Sequence, residues 1–176
     1  MKYKNKAIFL DRDGIINRDI GYLFKIKDFV FLDGIFDACN YFQNAGYLII
    51  IITNQSGIAR GYYNEEDFHQ LTHWMLKKFL ANGITINDIF FCPHAPNDGC
   101  NCRKPEPGLI QDAIQKYNIN LTKSWMIGDK ESDVKAANIA GITNTILVKT
   151  GYEIDELMTS AKFKLKSIKE SIQLIK

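Results

Sequence analysis

Short apolar runs recur along the chain, and each of them is bounded by Asp, Asn or Gly. Runs of this length, apolar on both faces, are typical of strands that are covered on both sides by helices. They predict five strands: Ala7–Leu10, Tyr47–Thr53, Ile89–Cys92, Trp125–Ile127 and Thr145–Val148.

Segments with helical patterns separate these strands. Asp33 is expected to cap a helix over Gly34–Ala45, and Asn64 a longer helix that ends before Gly83. The other predicted helices cover Pro107–Tyr117, Glu131–Ala140 and a short C-terminal segment opened by the capping-box sequence SIKE at 167–170. Strands that alternate with helices indicate an α/β fold with a mostly parallel sheet flanked by helices.

The chain has 176 residues, of which 46% are hydrophobic and 24% charged, and this favours one well-packed domain over residues 1–176. The net charge of +2 gives no nucleic-acid signature. The N-terminus lacks the apolar core of a secretory signal, and the most apolar run, YLIIIIT at 47–53, is too short to span a membrane. We therefore expect a cytoplasmic monomer without nucleic-acid or membrane partners.

Polar residues follow the ends of the first four predicted strands. In an open α/β sheet the ligand site lies outside the carboxyl ends of the strands, so we expect these residues to share one site. They are Asp11 and Asp13 after the first strand, Thr53, Asn54, Gln55 and Ser56 after the second, Arg103 and Lys104 beyond the third, and Asp129, Lys130 and Asp133 after the fourth.

Carboxylates that converge at strand ends repel one another unless a cation neutralises them or one takes up a proton. Hard oxygen ligands select Mg²⁺, so Asp11 and Asp129 are the expected side-chain ligands. Thr53 offers a hydroxyl, and Lys104 offers a positive charge for a phosphoryl oxygen. This set predicts a site for phosphoryl transfer, in which catalysis is mostly positioning and electrostatic stabilisation.

The two carboxylates after the first strand are expected to take different roles. Residues i and i+2 leave a strand on the same side, so Asp11 and Asp13 can face one substrate. Asp11 ends the strand and is the better-fixed nucleophile, which forms an aspartyl-phosphate. Asp13 is then the acid that protonates the leaving group and the base that activates water.

Each of these features also has an ordinary structural interpretation. Asp is common in turns, and Asp129 can simply cap the next helix. Thr53 can end a strand, and Lys104 can be a solvated surface charge. The occurrence of all these features in order, each at the end of an apolar strand, favours the phosphoryl-transfer site.

The sequences DRDG, TNQSGIARG, RKPEPG and GDKESD resemble the four motifs of the haloacid dehalogenase (HAD) superfamily of phosphohydrolases. Within it, the match is to the D-glycero-D-manno-heptose 1,7-bisphosphate 7-phosphatase branch, which is related to the histidinol-phosphate phosphatases. The resemblance extends from Ala7 to about Gly151. It implies a Rossmann-like HAD fold and a Mg²⁺-dependent phosphatase that acts on a phosphosugar in nucleotide-activated heptose biosynthesis, for lipopolysaccharide or a related glycan.

Carried over position by position, the resemblance implies roles for the charged residues. Asp11 would be the nucleophile and Asp13 the proton donor. Mg²⁺ would be held by Asp11, the main-chain carbonyl of Asp13 and the side chain of Asp129. Lys104 would stabilise the charge of the transferred phosphate, and Asp133 fits a supporting role better than direct ligation.

The resemblance also implies the groups that bind the substrate. Thr53 and Asn54 would bind the transferred phosphate. The rest of the substrate would face the segment from Asp19 through Gly21 to Tyr22, together with Gln55, Ser56, Arg103 and Lys130.

The loop CPHAPNDGCNC at 92–102 places four metal-binding side chains within eleven residues: Cys92, His94, Cys100 and Cys102. Three thiolates and one imidazole match a closed structural zinc site. Reduced cysteines without metal are the alternative, but this density of ligands favours zinc, and the resembling family often carries such a cluster. Because Cys102 directly precedes Arg103 and Lys104, we expect zinc to fix the chain that delivers both cations.

Other potential ligands are expected to have ordinary roles. His69 and His73 lie one turn apart on a predicted helix, but no further ligand is evident, so a solvated face is favoured. Cys39 lies within another predicted helix and is expected to be a small core residue.

The segments between the motifs leave no room for a separate cap domain. Arg103 and Lys130 are cations beyond those that one phosphoryl group needs, which favours a bisphosphate substrate, with solvated side chains as the alternative. Histidinol phosphate is the nearest alternative substrate, and the nearly neutral charge argues against a nucleic-acid 3′-phosphatase. A zinc-stabilised phosphate-binding module without catalysis is the alternative from another class, and it would not need both Asp11 and Asp13.

Overall fold

The sheet is built around β1 (Lys6–Leu10), and every strand pairing in it is parallel. A computed structural model describes residues 5–150 and 159–176. The strand order is β3-β2-β1-β4-β5-β6, so β2 and β3 lie on one side of β1 and the chain crosses to the other side after β3. The other strands are β2 (Tyr47–Asn54), β3 (Asp88–Cys92), β4 (Trp125–Gly128), β5 (Thr145–Val148) and β6 (Phe163–Leu165).

The helices complete the α/β fold expected from the sequence. They are α1 (Ile35–Asn44), α2 (Glu65–Ala81), α3 (Gly108–Tyr117) and α4 (Glu131–Ile139), with short 3-10 helices at Ile26–Asp28, Leu121–Lys123 and Ile168–Gln173. The five strands and four longer helices predicted from the sequence are thus present, with bounds that differ by one residue at most of their ends. The Rossmann-like fold with a parallel sheet flanked by helices is confirmed.

Two local predictions are wrong. The N-cap of α1 is Gly34 rather than Asp33, because the chain enters the helix through a left-handed residue with φ 79° and no side-chain cap. The predicted short C-terminal helix is present as a 3-10 helix that begins after Ser167, but Glu170 accepts a hydrogen bond from the amide of Lys166, so the SIKE sequence forms no capping box. The short strand β6 lies outside the predicted elements, because three residues carry too little periodicity.

Each strand sends alternate side chains to two separate cores. Ile8 and Leu10 of β1 pack on one face, together with apolar residues of α1 and α2. Ala7 and Phe9 pack on the other face, against α3 and α4. All four side chains have no exposed surface. The apolar runs therefore have no polar face because both sides of the sheet are covered.

The helix face predicted for α2 is confirmed, since its apolar side chains are buried: Phe68, Leu71, Met75 and Phe79. His69 and His73 lie on its exposed side, as expected, and Cys39 is a buried core residue of α1. None of the helices in residues 5–150 and 159–176 is long and apolar enough to cross a membrane.

The connections between strands in the described ranges contain single helices and loops, and none of them forms a separate cap domain. The carboxyl ends of β1, β2 and β4 therefore open directly toward one edge of the sheet. The single domain expected over 1–176 stays a prediction, because residues 1–4 and 151–158, among them the Gly151 that ends the motif resemblance, lie outside the described residues.

The start of α2 gives a test of the local sequence analysis. The side chain of Asn64 accepts a hydrogen bond from the amide of Asp67 at 2.9 Å, and the Asp67 carboxylate accepts one from the amide of Asn64 at 3.0 Å. Asn64→Ala should lower the free energy of unfolding by about 1 kcal/mol, because the amide of Asp67 loses the side-chain oxygen that accepts its hydrogen bond.

Urea denaturation followed by circular dichroism measures this change. The matched control is Asn40→Ala, at an exposed position within α1, for which we expect a change within about 0.5 kcal/mol. Equal effects of the two substitutions would contradict the capping role of Asn64.

Candidate active site

A cavity of about 410 Å³ opens at the carboxyl edge of the sheet. Most of the residues expected to form a site lie around it, although they come from five different segments of the chain. The expected residues that line it are Asp11, Asp13, Asp19, Gly21, Tyr22, Asn54, Gln55, Ser56, Arg103, Lys104, Lys130 and Asp133. Thr53 and Asp129, which were also expected, are buried beneath its surface.

The floor of the cavity contains a buried ammonium group between two carboxylates. Lys104 Nζ lies 2.8 Å from Asp11 Oδ1 and 2.6 Å from Asp133 Oδ1. It also donates a hydrogen bond of 2.7 Å to the carbonyl of Ile52, in β2. All three side chains that carry charge are buried. A surface role for Lys104 is therefore excluded.

Burial alone would lower the pKa of Lys104, but the charges of Asp11 and Asp133 outweigh it and raise this pKa. Lys104 is therefore a permanent cation. Burial raises the pKa of Asp11 to about 6, against the opposing effect of Lys104 and with a further increase from Asp133. The backbone amide of Asp11 bonds to the carbonyl of Ile127 at 3.1 Å, so β4 helps to fix its position.

Asp129 brings a third carboxylate to this cluster. Both of its oxygens are buried, and neither has a hydrogen-bond partner in the described part of the chain. Burial, with the charges of Asp11 and Asp133, raises the pKa of Asp129 to about 8. A Cβ atom at Gly14 would lie 2.2 Å from Asp129 Oδ2, so the glycine of the DRDG sequence permits this close approach.

The three carboxylates fit a hard divalent cation. One oxygen from each of Asp11, Asp129 and Asp133 can be chosen so that all lie within 4.8 Å of one another. Both oxygens of Asp133 already have partners in the protein. Oδ1 pairs with Lys104, and Oδ2 accepts a hydrogen bond of 3.0 Å from the amide of Lys130. The unpartnered oxygens of Asp129 are thus the strongest indication of a cation site, because buried carboxylates require a partner.

Asp13 is held by a network that the sequence analysis did not identify. Arg12 Nη2 lies 3.0 Å and 2.8 Å from its two carboxylate oxygens, and Arg12 Nε donates a further bond of 3.1 Å. Asn17 Nδ2 and Gln55 Nε2 donate bonds of 2.9 Å and 3.1 Å. The Asp13 carboxylate therefore has a fixed orientation at the edge of the cavity, where its side chain is 18% exposed.

Gln55 connects Asp13 to the end of β2. The same amide nitrogen that contacts Asp13 donates 2.8 Å to Thr53 Oγ1, and the hydroxyl of Tyr63 donates to Gln55 Oε1. Burial raises the pKa of Tyr63 to about 12, so it remains a hydroxyl donor. The Thr53 hydroxyl thus accepts a bond within the protein, and only 1% of this residue is exposed.

Asn54 joins β2 to the loop that carries Lys104. Its side-chain oxygen accepts 3.0 Å from the Lys104 amide, and its side-chain nitrogen donates 3.1 Å to the Lys104 carbonyl. This reciprocal pair fixes the main chain at Lys104. Asn54 therefore holds the Lys104 loop against the end of β2.

The rim of the cavity is formed by a turn at residues 19–22. Asp19 Oδ1 accepts a hydrogen bond of 2.9 Å from the Gly21 amide, and Asp19 Oδ2 pairs with Lys130 Nζ at 2.9 Å. Burial alone would lower the pKa of Lys130, but the charges of Asp129 and Asp19 outweigh burial and raise this pKa. Tyr22, at φ 52°, has its ring against that of Tyr62, with centroids 4.6 Å apart.

The four expected zinc ligands converge in the loop after β3. Their Sγ and Nδ1 atoms lie 2.9–3.6 Å apart in the contacting pairs, and all four ligand atoms lie within 4.8 Å of one another: Cys92, His94, Cys100 and Cys102. Desolvation alone would raise the pKa of Cys100, but hydrogen bonds from its neighbours outweigh this effect and lower the pKa to about 7. Three thiols and an imidazole at these distances can hold one zinc ion.

This cluster is physically connected to the cavity. Arg103 follows Cys102 in the chain, lines the cavity and donates a bond of 3.3 Å from Nη1 to the carbonyl of His94. The amide of Gly108 bonds to the carbonyl of Asn101 at 3.0 Å, which closes the loop behind Lys104. Lys104 is thus supported from Asn54 on one side and from the cysteine loop on the other.

Four residues of the site were not predicted from the sequence: Arg12, Asn17, Tyr63 and Ser132. Arg12 and Asn17 flank Asp13 in DRDGIIN, so their position next to the motif was the only available signal. Tyr63 and Ser132 reach the cavity through the loop before α2 and the first turn of α4.

Comparisons of the sequence and of the fold with known proteins point to the same family. A HAD-hydrolase-like family model matches residues 101–173. The chain is 45% identical to the D-glycero-beta-D-manno-heptose-1,7-bisphosphate 7-phosphatase of Pasteurella multocida, over 97% of each chain. It is 50% identical to the D-glycero-alpha-D-manno-heptose-1,7-bisphosphate 7-phosphatase of Campylobacter jejuni, over 82% of this chain and 83% of that protein.

A solved structure agrees with these relatives. The D,D-heptose 1,7-bisphosphate phosphatase from B. bronchiseptica, complexed with magnesium and phosphate, has a TM-score of 0.85 and 30% sequence identity, and the match covers 96% of this chain and 97% of that one. The sequence identity, the shared fold and the arrangement of strand-end carboxylates have one explanation. The chain belongs to the HAD-like hydrolase family of the D-glycero-D-manno-heptose-1,7-bisphosphate 7-phosphatases.

Proposed function

We propose that the chain is a Mg²⁺-dependent phosphatase that removes the 7-phosphate of D-glycero-D-manno-heptose 1,7-bisphosphate. The observation that carries this proposal is the buried cluster of Lys104, Asp11 and Asp129 beneath an open cavity. It combines a fixed carboxylate nucleophile, a permanent cation and an unpartnered pair of carboxylate oxygens. The relatives at 45–50% identity and the magnesium and phosphate of the B. bronchiseptica enzyme support the same assignment.

The first step would form a bond between an Asp11 oxygen and phosphorus while the bond from phosphorus to the sugar oxygen breaks. Asp13 would give its proton to the departing oxygen. In the second step a water oxygen would bond to phosphorus, Asp13 would take the proton from that water, and the Asp11–phosphorus bond would break. Lys104, Thr53 and Asn54 would bind the transferred group throughout.

Mg²⁺ would be held by Asp11, the main-chain carbonyl of Asp13 and Asp129. When bound, it neutralises the carboxylates and the phosphoryl oxygens, so that the negatively charged nucleophile and substrate can approach. Asp133 would support the site by pairing with Lys104, which agrees with the engagement of both its oxygens.

The remainder of the substrate would lie along the rim of the cavity. It would face the turn from Asp19 through Gly21 to Tyr22, as well as Gln55, Ser56, Arg103 and Lys130. Arg103 and Lys130 line the cavity and would face a second phosphate, with Lys130 beside its ion pair with Asp19, which favours a bisphosphate over histidinol phosphate. Relatives of similar identity are named for the α and the β anomer, so the anomer is left to experiment.

The proposed setting is a cytoplasmic, monomeric, single-domain enzyme. Its product would be used to make nucleotide-activated heptose for lipopolysaccharide or a related surface glycan. The charge of +2 and the absence of a basic and aromatic strip in the sequence support a small phosphosugar rather than a nucleic acid as the substrate.

Removal of the nucleophile should abolish turnover without unfolding the protein. Asp11→Asn is expected to reduce phosphate release by at least about 10⁴-fold, while Lys104 keeps Asp133 as its partner. The measurement is phosphate release with Mg²⁺ from both heptose bisphosphate anomers and from histidinol phosphate. Circular dichroism checks the fold, and Asp112→Asn, at an exposed position on α3, is the matched control.

Turnover of histidinol phosphate alone would replace the proposed substrate. Undiminished turnover by Asp11→Asn would exclude the aspartyl-phosphate mechanism, and a folded wild-type protein without any turnover would favour the phosphate-binding module.

The stability of the metal-free protein should depend on Asp129. Its pKa is about 8 when folded, against an ordinary value of about 4. Between these values the folded state binds more protons than the unfolded state, so the free energy of unfolding falls as pH rises. We expect a slope on the order of 1 kcal/mol per pH unit between about pH 6 and 8 in EDTA, relative to Asp129→Asn.

Urea denaturation at each pH measures this slope, and Mg²⁺ should stabilise the wild type more at pH 8 than at pH 6. The control is Asp37→Asn, whose carboxylate is 66% exposed and whose slope should equal that of the wild type. Equal slopes for the wild type and Asp129→Asn would refute the assignment of the buried carboxylate.

Zinc should be present at one ion per chain and should support activity through Lys104. Cys100→Ser is expected to lose zinc and to lower kcat by up to about 10²-fold, because a small displacement of a catalytic group is costly. Elemental analysis and steady-state kinetics on the same samples measure both effects. Cys39→Ala, outside the loop, should retain its zinc. Unchanged kinetics in a demonstrably zinc-free sample would show that zinc does not hold Lys104 in place.

A further inference from the structure

Every side chain in the described part of the molecule that hydrogen-bonds to Asp13 does so as a donor. Arg12 contributes Nε and Nη2, at 2.8–3.1 Å from the carboxylate oxygens. Asn17 and Gln55 contribute amide nitrogens at 2.9 Å and 3.1 Å. The orientation of the Gln55 amide follows from its other end, where Oε1 accepts from the hydroxyl of Tyr63.

Among these donors Gln55 lines the cavity, whereas Arg12 and Asn17 are buried and do not. Only 2% of Arg12 is exposed, and its guanidinium carbon lies 5.9 Å from the centre of the Phe68 ring. A guanidinium has five donors and no acceptor, and it keeps its charge at any working pH. Arg12 can therefore neither contact the substrate nor take a proton from Asp13.

We infer that Arg12 is a positioning residue that holds the carboxyl group of Asp13 at the edge of the cavity, facing the leaving oxygen of the substrate. This inference rests on the proposed function. The planar guanidinium contacts both oxygens of Asp13 through Nε and Nη2, so it fixes the orientation of the carboxyl group as well as its position. The open side of Asp13 is the cavity that it lines.

The same guanidinium also supports the substrate-facing turn. Arg12 Nη2 donates 3.1 Å to the carbonyl of Leu23, the residue after Tyr22. Tyr22 has φ 52°, a left-handed conformation that a non-glycine residue keeps only where its surroundings fix it. Arg12 thus sets the distance between the proton donor and the rim on which the sugar would lie.

The proton transfer that the proposed function assigns to Asp13 can be isolated with two substrates. An alkyl phosphate such as the heptose bisphosphate needs the proton as its P–O bond breaks, whereas 4-nitrophenolate leaves from 4-nitrophenyl phosphate without one. kcat/KM reports the steps up to transfer of the phosphoryl group to Asp11. Arg12→Lys should lower kcat/KM for the alkyl phosphate by about 10²-fold and for the aryl phosphate by less than about fivefold.

A lysine keeps the charge but cannot hold both oxygens of Asp13 and the carbonyl of Leu23 with one planar fork. Asp13→Asn should give the same selective loss, which links the effect to the proton donor. Arg18→Lys is the matched control, since it makes the same substitution at an exposed position in the same loop. Stabilisation by Mg²⁺ should be equal in wild type, Arg12→Lys and Arg18→Lys.

Equal losses on the two substrates would show a general structural role and overturn the inference, as would undiminished activity on the alkyl phosphate. If Arg12→Lys does not fold, Arg12→Gln provides the same comparison. In the wild type, ¹⁵N NMR should show a slowly exchanging arginine Nε–H signal that is lost in Asp13→Asn. Its absence would overturn the inference without any substitution of Arg12.

The proposed function is decided separately, by phosphate release from the heptose bisphosphate by the wild type. If that substrate is not hydrolysed, the proposed function fails. The ratio of alkyl to aryl activity, measured with an alkyl phosphate that the wild type does hydrolyse, still decides the role of Arg12.

Discussion

The buried ammonium of Lys104 is the interaction on which the rest of the site depends. A buried charge is tolerated only when partners surround it. Here the partners are Asp11 after β1, the carbonyl of Ile52 in β2 and Asp133 in α4. One side chain from the loop after β3 therefore holds together the carboxyl edge of the sheet, and the site can form only when all these elements are in register.

The charges of this cluster do not balance within the protein. Asp11, Asp129 and Asp133 face a single fully buried cation, Lys104, while Lys130 lies 3.9 Å from Asp129 with an exposed side chain. The raised pKa values of Asp11 and Asp129 express their burial together with this excess of negative charge. A metal-binding function and the energetic cost of the metal-free site are thus two aspects of the same arrangement.

The sequence was sufficient for the parts of the molecule that local patterns determine. The apolar runs of β1 and β2 are visible because both faces of the sheet are buried, and the strand-end rule then brought Asp11, Asn54 and Asp129 to one edge. Three local features were not predicted: β6, the left-handed entry into α1 and the uncapped 3-10 form of the short C-terminal helix. Their conformations depend on a few contacts rather than on a repeated pattern.

Within the site, the sequence predicted the charged residues that converge at the cavity better than the side chains that orient them. Arg12 stands between two aspartates in the sequence, yet its role depends on contacts with Asp13 and with the carbonyl of Leu23, which only the folded loop creates. The same holds for Tyr63, which reaches Gln55 because Gly57 leaves space for its ring. Networks of this kind are set by distances between segments, and a single sequence does not contain those distances.

The position of Asp11 directly after the central strand has a consequence for the dynamics of the protein. β1 has neighbours on both edges and a helical layer on both faces, so it has no free boundary from which it can fray. Strands of this kind open only when the whole molecule opens, whereas peripheral turns open locally. Asp11 therefore belongs to the slowest-exchanging part of the chain, and the turn at 19–22 on the rim of the cavity can fluctuate without disturbing it.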